Sequence, residues 1–252
     1  PALRMIVERE REIEAFQARE YWTIEADMSH GGQAFESRLV RLENERLKQF
    51  DIDNAEKAHA VRDRLTAAAN GNLKASSVTR SQRKRRPAPP FITSTLQQDA
   101  ARKLGFSAQR TMRTAQTLYE AGHITYMRTD SVHLSGDALS DLRSCIQSMF
   151  GAEYLPEKPN FFKTKSKNAQ EAHEAIRPTS ALNVPDEIAQ HLDKDQLKLY
   201  TLIWKRTVAC QMVHATIDTV AADLGAGEGN MFRATGSTIA SPGFMQVYLE
   251  AK

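Results

Sequence analysis

Cysteine is scarce in this chain: its 252 residues contain only two, Cys145 and Cys210, which are far apart. That spacing excludes zinc-finger and Cys-x-x-Cys redox motifs, so we expect two reduced, buried thiols in a reducing compartment. Long apolar runs are also missing, since none approaches the roughly 20 residues that a membrane-spanning helix needs. The N-terminal PALRMIVERERE is charged and periodic, unlike a secretory signal. These absences predict a cytoplasmic protein with no membrane partner.

An excess of one charge is lacking as well. Lys and Arg number 34 against 31 Asp and Glu, and the net charge of +3 is too small to indicate a nucleic-acid partner by itself. The basic residues are unevenly distributed, because five of them cluster between Arg80 and Arg86, just before a group of prolines. We interpret this basic run as a solvated linker, with phosphate contact as the less favoured alternative.

The overall composition is typical of a globular protein. A hydrophobic fraction of 41% and a charged fraction of 26% are typical of such proteins, and the length suffices for one large domain or two ordinary ones. Pro1 stands directly inside a helical pattern, with Leu3, Ile6 and Phe16 on one face. The far end, MQVYLEAK, stops in a strand-like alternation. We therefore expect an internal fragment of a larger protein, with residues 1–20 as a helix remnant of a neighbouring domain.

Strand patterns occur near both ends of the chain. EYWTIEADM and AFESRLVRL alternate on either side of SHGGQ, which predicts a β-hairpin with a longer loop. A D-x-x-E pattern at Asp53 and Glu56 predicts a helix to about Asn70, followed by a strand from Leu73 to about Ser81. After His214, the segments ATIDTVAADL, MFRATGSTI and GFMQVYLEA read as further strands.

Between the strand regions the periodicity is helical. RPAPPF marks a hinge, because its prolines lack donors and fix φ. Ser94 and Gln97 form an S-x-x-Q capping box for one helix, which Gly105 ends, and Ser107 caps the next. This helix, turn and helix outline a helix-turn-helix with Arg110 and Arg113 on its polar side. Two more helices are expected, one opening at Ser135 and one spanning about 195–212.

The expected fold class is α+β and multidomain. A discontinuous β-rich arm of residues 21–88 and 213–252 would be interrupted by a mainly helical domain, 89–212, with helix-turn-helix-like elements. Strands on both sides of the insert would share one sheet. The two connections, near Pro87 and His214, would then form a double hinge.

The stretch GHITYMRTDSVHL holds the first candidate chemistry. Side chains two apart on an extended segment lie on the same side, so Arg128 would face a phosphate attacked by the Tyr126 hydroxyl, and Asp130 would orient Arg128. An attacking tyrosine needs an accessible hydroxyl and cations for the charge of the transition state. From pattern alone, a packed or rim aromatic is the commoner role for such a tyrosine.

A second candidate lies in QEAHEAIRPT, which we expect to be a short helical piece ended by Pro178. His173 and Arg177 are four apart and would share a face able to hold a DNA phosphate. The alternative is a surface helix with an ordinary Glu174–Arg177 ion pair. The pattern is not H-E-x-x-H and no other clustered ligands accompany it, so no metal site is predicted.

Four strings together resemble the type IA DNA topoisomerases, close to the bacterial topoisomerase I branch. They are PALRMIVEREREIEAF, PFITSTLQQDAARKLGFS, AQTLYEAGHITYMRTDS and QEAHEAIRPT, and they extend over nearly the whole chain. The resemblance implies that Tyr126 is the nucleophile that joins the 5′-phosphate of a cleaved single strand, and that Arg128 stabilises that phosphate. It groups His173 with these two as a catalytic-site residue, near the active site and in contact with bound DNA. Asp130 and Arg177 match further positions of the motifs, which we assign to DNA binding.

The same resemblance implies partners and a cofactor. It predicts ATP-independent relaxation of negatively supercoiled DNA through a single-strand break, by a monomer associated with the nucleoid. The family's Toprim domain, which binds Mg²⁺, is missing from this sequence, so no cofactor is expected here and the rest of the same polypeptide is the expected partner. We therefore expect the chain alone to bind single-stranded DNA weakly and salt-dependently, and not to relax DNA.

Two alternatives stay open. A helix-turn-helix module without catalysis would read duplex DNA through Arg110 and Arg113, with Tyr126 in a structural role. A type IA decatenase of the topoisomerase III branch would share the motifs, and sequence outside this chain would separate the two branches.

Overall fold

The computed structural model describes residues 2–163 and 174–249, and it confirms a mixed α and β fold. The helices are α1 Ala2–Glu14, α2 Ala55–Ala69, α3 Thr93–Leu104, α4 Ala108–Glu120, α5 Gly136–Phe150, α6 Pro185–Ile188 and α7 Lys194–Cys210. The strands are β1 Glu25–His30, β2 Gln33–Leu42, β3 Glu45–Arg46, β4 Lys74–Arg85, β5 Ala215–Gly225 and β6 Met231–Ser241.

The strands form one sheet in the order β1-β2-β6-β5-β4, with β3 paired to β2. Strands from both ends of the sequence therefore share a sheet, as predicted. The β1–β2 hairpin closes in two residues, because His30 pairs with Gln33. The prediction of a longer loop was wrong: Gly31 and Gly32 both adopt positive φ, 58° and 80°, which is the conformation of a tight type I′ turn.

The basic run is not a linker. Strand β4 continues through Arg85, and Gln82 on this strand donates a 2.9 Å side-chain hydrogen bond to Asp218 of β5. The linker interpretation was wrong because strand pairing with β5, far away in sequence, extends the strand until the prolines begin at Pro87.

The helix caps are partly as predicted. Ser107 and Ser135 accept hydrogen bonds from backbone N–H groups in the first turns of α4 and α5. The Ser94/Gln97 box was wrong: α3 begins at Thr93, so Ser94 is already inside the helix, and Thr95 Oγ1 accepts a 3.0 Å hydrogen bond from the Ile92 N–H. At α2 the cap is Asn54, one residue after the predicted Asp53.

The predicted last strand is a 3₁₀ turn, Gly243–Gln246. Phe244 and Tyr248 are both buried, and a turn brings side chains four residues apart into one core, which an alternating strand would not do. Gly243 has a φ of 48°, and a Cβ there would lie 2.4 Å from the carbonyl oxygen of His214. The close approach therefore requires glycine.

The chain divides into two compact units, Pro1–Ser81 with Thr219–Thr238, and Gln82–Asp218 with Ile239–Lys252. In the first unit, α2 packs its buried Ala58, Val61 and Leu65 against Leu39 and Phe232 of the sheet. No residue of α1 within Ala2–Glu14 is buried. The domain boundaries expected from the sequence, 1–20, 21–88 with 213–252, and 89–212, stay a prediction.

The second unit has a helical core. Helices α3, α4, α5 and α7 contribute to it, and the stripe predicted on the last long helix is buried throughout: Leu199, Ile203, Trp204, Val208 and Met212. In residues 2–163 and 174–249, no helix combines the length and apolar character that crossing a bilayer requires.

Both cysteines are free and buried, as predicted. Burial raises the pKa of the Cys145 thiol to about 11, helped by the nearby Asp141 carboxylate. Burial likewise raises the pKa of Cys210 to about 12, against a hydrogen bond from Gln211 and the charge of Arg206. Both thiols are therefore protonated at neutral pH and unreactive as nucleophiles.

Candidate functional site

The segment around Tyr126 links α4 to α5 as irregular, extended chain. Met127, Thr129 and Ser131 are buried, while Tyr126, Arg128 and Asp130 are exposed. The three candidate side chains therefore share the solvent side of the backbone, as the spacing of two predicted.

Tyr126 is 43% exposed and sits edge-on to Tyr119, with 5.2 Å between ring centroids. The ring is thus supported on one side without being enclosed in the core. Of the two structural roles considered for this tyrosine, the packed one is wrong, because alternate residues of the segment, and not Tyr126, fill the interior. The rim-aromatic role stays an alternative.

One threonine at the start of α3 fixes the backbone on both sides of Arg128. Thr93 Oγ1 donates to the carbonyl of Met127 at 2.7 Å and accepts from the N–H of Thr129 at 3.0 Å. The Thr93 N–H also donates to the Thr129 carbonyl at 3.0 Å. Buried backbone groups are thereby satisfied, and the exposed Arg128 projects from a rigid base.

A second threonine holds the other side of Tyr126. Thr125 Oγ1 donates to the Ala175 carbonyl at 2.7 Å and accepts from the Arg177 N–H at 2.9 Å. The Thr125 N–H donates to the Arg177 carbonyl at 2.9 Å. Neither Thr93 nor Thr125 was predicted as a site residue, although both stand inside the motif strings, Thr93 in PFITST and Thr125 directly before Tyr126.

Residues 174–178 are extended, so the expected helical piece was wrong for them. Ile176 bridges to Phe91 and Pro178 bridges to Ile124. Groups far away in the sequence accept hydrogen bonds from the N–H groups that a helix would use, and the local sequence pattern does not indicate these partners. His173 lies outside the described residues, so its predicted position and role stay a prediction.

Arg177 forms an ion pair with Glu174, as expected under the alternative to phosphate binding. Its Nη2 donates to Glu174 Oε2 at 2.7 Å and its Nη1 to the Pro178 carbonyl at 2.9 Å. Glu174 Oε1 accepts from the N–H of Ser135, the cap of α5, at 2.7 Å. Burial acts to raise the pKa of Glu174, but the hydrogen bonds from Arg177 and Ser135 outweigh it and the pKa is lowered. Arg177 thus braces the loop, and a DNA contact by it stays a prediction.

The arginines on the polar side of α4 lie close to aspartate carboxylates. Arg110 donates to both carboxylate oxygens of Asp195, at 2.7 and 2.8 Å, and lies over the Phe106 ring. Arg113 is exposed beside a depression of about 510 Å³ that Asp193 and Asp195 also line. The bidentate pair and the neighbouring carboxylates disfavour α4 as a helix that reads DNA.

A magnesium ion does not fit these residues by themselves. Asp130 supplies a carboxylate on the exposed side shared by Tyr126 and Arg128. In residues 2–163 and 174–249 no group of three His, Cys, Asp or Glu is placed to hold a metal.

A family model described as DNA topoisomerase matches residues 1–252, the entire chain. The chain belongs to the bacterial DNA topoisomerase family. The resemblance stated from the four strings is thus confirmed.

Relatives named DNA topoisomerase 1 place the chain on the topoisomerase I branch. That of Xylella fastidiosa (strain Temecula1 / ATCC 700964) is 54% identical over 261 residues, covering 100% of this chain and 32% of the relative. That of Rickettsia felis is 48% identical, covering 99% and 33%. The chain therefore spans about a third of the length of these topoisomerase relatives.

A solved structure shares the fold. Full-length topoisomerase I from Thermotoga maritima superposes with a TM-score of 0.78 at 32% identity, over 99% of this chain and 39% of that one. The topoisomerase I names favour this branch over the decatenase alternative.

Proposed function

We propose that this chain carries the nucleophile of an ATP-independent type IA topoisomerase that relaxes negatively supercoiled DNA. The observation that supports it is the placement of Tyr126 and Arg128, both exposed on the same side of a backbone that Thr93 and Thr125 hold. A reactive tyrosine needs access for a phosphodiester, and its cation needs a fixed position.

The proposed step is a transesterification on one DNA strand. The Tyr126 oxygen attacks phosphorus, an O–P bond forms, and the bond from phosphorus to the 3′ oxygen breaks. The product is a 5′-phosphotyrosine and a 3′-hydroxyl that takes up a proton, while the phenol loses its own. The reverse reaction reseals the strand after passage of the other strand, so the energy of the broken bond is kept in the ester.

Each neighbouring residue has a proposed part. Arg128 stabilises the charge that accumulates on the phosphate oxygens, because its guanidinium can bind two of them at once. Asp130 orients Arg128 from the same side. His173 contacts DNA near the reacting phosphate, and Arg177 holds the loop and contacts DNA beside it. Arg110 and Arg113 have no part in the proposal, because Arg110 is paired with Asp195 and carboxylates lie beside Arg113.

The remaining machinery is proposed to lie elsewhere in the same polypeptide. A Toprim domain would bring Mg²⁺, and single-stranded DNA is the immediate substrate. We propose a monomer that acts in the cytoplasm at the nucleoid. The 252-residue chain alone should bind single-stranded DNA weakly and should not relax supercoiled DNA; relaxation by the purified chain would contradict this part of the proposal.

A trapping assay tests the proposal. The chain is mixed with a Toprim-bearing portion of a topoisomerase I relative, Mg²⁺ and a single-stranded oligonucleotide labelled at its 3′ end, the end that stays joined to a 5′-phosphotyrosine, then denatured and separated by gel. We expect label on this chain, lost with Tyr126→Phe and kept with Tyr119→Phe, a matched control because Tyr119 is a neighbouring tyrosine with 41% exposure. Association and DNA binding without any adduct would contradict the nucleophile assignment.

A further inference from the structure

The first unit has a strongly basic cavity in its sheet. The cavity has a volume of about 530 Å³, and five of its lining side chains are cationic while none is acidic. We call the following set the basic face: Trp22, Arg38, Arg41, Arg46, Lys48 and Arg233.

Strand register brings these arginines together in opposing pairs. Arg38 of β2 lies opposite Arg233 of β6, and Arg41 of β2 lies opposite Arg46 of β3. A register shift occurs between Leu39 and Arg41. A simple alternation would put residues 38 and 41 on opposite faces, but the bulge puts both on the same one.

The other face of the same strands is already occupied. Leu39 and Phe232, which alternate with the arginines, are buried against α2. The two faces of β2 and β6 are thus specialised, one for the core and one for positive charge.

Like charges directly opposite each other across a sheet are destabilising, so this arrangement has an energetic cost. Asp223 offsets part of it by binding Arg233 at 2.6 and 3.0 Å. Glu25 lies opposite Arg38 on the β1 side. Arg38, Arg46 and Lys48 form no ion pair with any residue in the described part of the chain. A polyanion lying across both pairs would remove the repulsion.

An aromatic ring completes the set. Trp22 is 37% exposed at the cavity, and its ring is held edge-on to His59 of α2 at 6.0 Å. A partly exposed indole beside a row of cations is the combination that binds single strands, because an unpaired base can stack on the ring while the backbone contacts the cations.

We propose that the basic face binds the phosphodiester backbone of a single-stranded nucleic-acid segment, in the unit that does not contain Tyr126. This is a binding site additional to the strand that Tyr126 attacks. It rests on charge, strand register and the exposed Trp22 ring, and it does not require Tyr126 to be a nucleophile.

Salt dependence of binding tests the proposal. Affinity of the chain for a fluorescent oligo(dT) is measured across a series of salt concentrations, for the starting chain and for Arg38→Ala/Arg46→Ala. Each lost phosphate contact on a single strand lowers the slope of log K against log [salt] by about 0.7, so a decrease of about 1.4 is expected. Trp22→Ala should weaken binding at least about fivefold.

A matched control carries the same loss of charge elsewhere in the unit. Lys57→Ala/Arg62→Ala removes two exposed cations from α2 and should leave the slope unchanged. Arg38→Gln/Arg46→Gln keeps side-chain bulk and should repeat the alanine result if folding is intact by circular dichroism. An unchanged slope in both basic-face variants, or tighter binding of a duplex of equal length that is lost in the same variants, would overturn the proposal.

The result is separable from that of the trapping assay. Tyr126→Phe should bind oligo(dT) with an unchanged slope, because Tyr126 carries no charge. If Tyr126→Phe abolishes the adduct but the arginine variants leave the salt slope unchanged, only the basic-face proposal is contradicted. If the arginine variants lower the slope but Tyr126→Phe still forms the adduct, only the nucleophile assignment is contradicted.

Discussion

The backbone N–H of Thr129 donates a 3.0 Å hydrogen bond to Thr93 Oγ1, while the Thr93 N–H donates a 3.0 Å hydrogen bond to the carbonyl of Thr129. This reciprocal pair ties the first residue of α3 to the residue after Arg128. The segment that bears Tyr126 is irregular, and it is fixed in place because side chains satisfy backbone groups that a helix or sheet would otherwise pair.

Replacing Thr93 with valine keeps the side-chain shape but removes the hydroxyl. The Met127 carbonyl and the Thr129 N–H would lose their partner, and we expect a loss of about 1–3 kcal/mol in the free energy of unfolding. Adduct yield in the trapping assay should also fall, and Thr93→Ser should restore both. Urea unfolding and adduct yield are the measurements; a valine variant with unchanged stability and yield would contradict a positioning role.

Arg128 is exposed, so its substitution should leave the fold intact and change only the chemistry. Arg128→Ala should slow adduct formation by about 10²–10³-fold, the range for removing one donor that stabilises transition-state charge. Arg128→Lys should recover part of the rate, since a point charge remains but bidentate contact is lost. Single-turnover adduct kinetics give the answer, and equal rates for arginine and alanine would remove Arg128 from the site.

The Glu174–Arg177 pair should make stability depend on pH. The pKa of Glu174 is lowered in the folded chain, so its contribution is present above the ordinary carboxyl pKa and is lost as pH falls through the lowered value. Glu174→Gln should therefore cost about 1–3 kcal/mol at pH 7, from the weakened charged hydrogen bonds. The difference between the two proteins in urea unfolding should shrink towards pH 3. A constant difference from pH 7 to pH 3 would show that the carboxylate charge is not involved.

Gly243 should tolerate no side chain. Gly243→Ala places a Cβ 2.4 Å from the His214 carbonyl oxygen at a φ of 48°, so a loss of about 1–3 kcal/mol or more is expected. Gly136→Ala is the matched control, since its φ is not in the left-handed range and nothing lies within 4 Å of the added Cβ. Thermal unfolding compares the two. Equal melting temperatures would show that the turn at Gly243 accommodates a Cβ with no loss of stability, contrary to this prediction.

Local features of the fold were readable from the sequence. Ser107 and Ser135 cap helices through bonds to residues three positions ahead, and the spacing of Tyr126 and Arg128 alone gave their common side. Remote pairing was not readable. The strand through Arg85 depends on pairing with β5, and the extended chain at Ile176 depends on Phe91. The local patterns alone therefore indicate a linker for the basic run and a helix for EAHEAIRP.

The candidate site was likewise predictable only where its residues lie close together in the sequence. Tyr126 and Arg128 stand in a motif whose resemblance named their roles, whereas Thr93 acts across 34 residues of sequence through its hydroxyl on Met127. The basic face was not predicted, because its arginines lie on three different strands and a bulge in β2 brings two of them to the same side. No local window of sequence contains both members of the pair formed by Arg38 and Arg233.

The most direct test of the central claim is to locate the nucleotide on the trapped chain. Trypsin leaves residues 114–128 as one peptide, which contains both Tyr119 and Tyr126. After nuclease digestion of the adduct, fragmentation of this peptide in a mass spectrometer assigns the residual nucleotide mass to one tyrosine. We predict that the mass is on Tyr126, joined through a 5′-phosphate. A nucleotide on Tyr119, or on any other residue, would contradict the account.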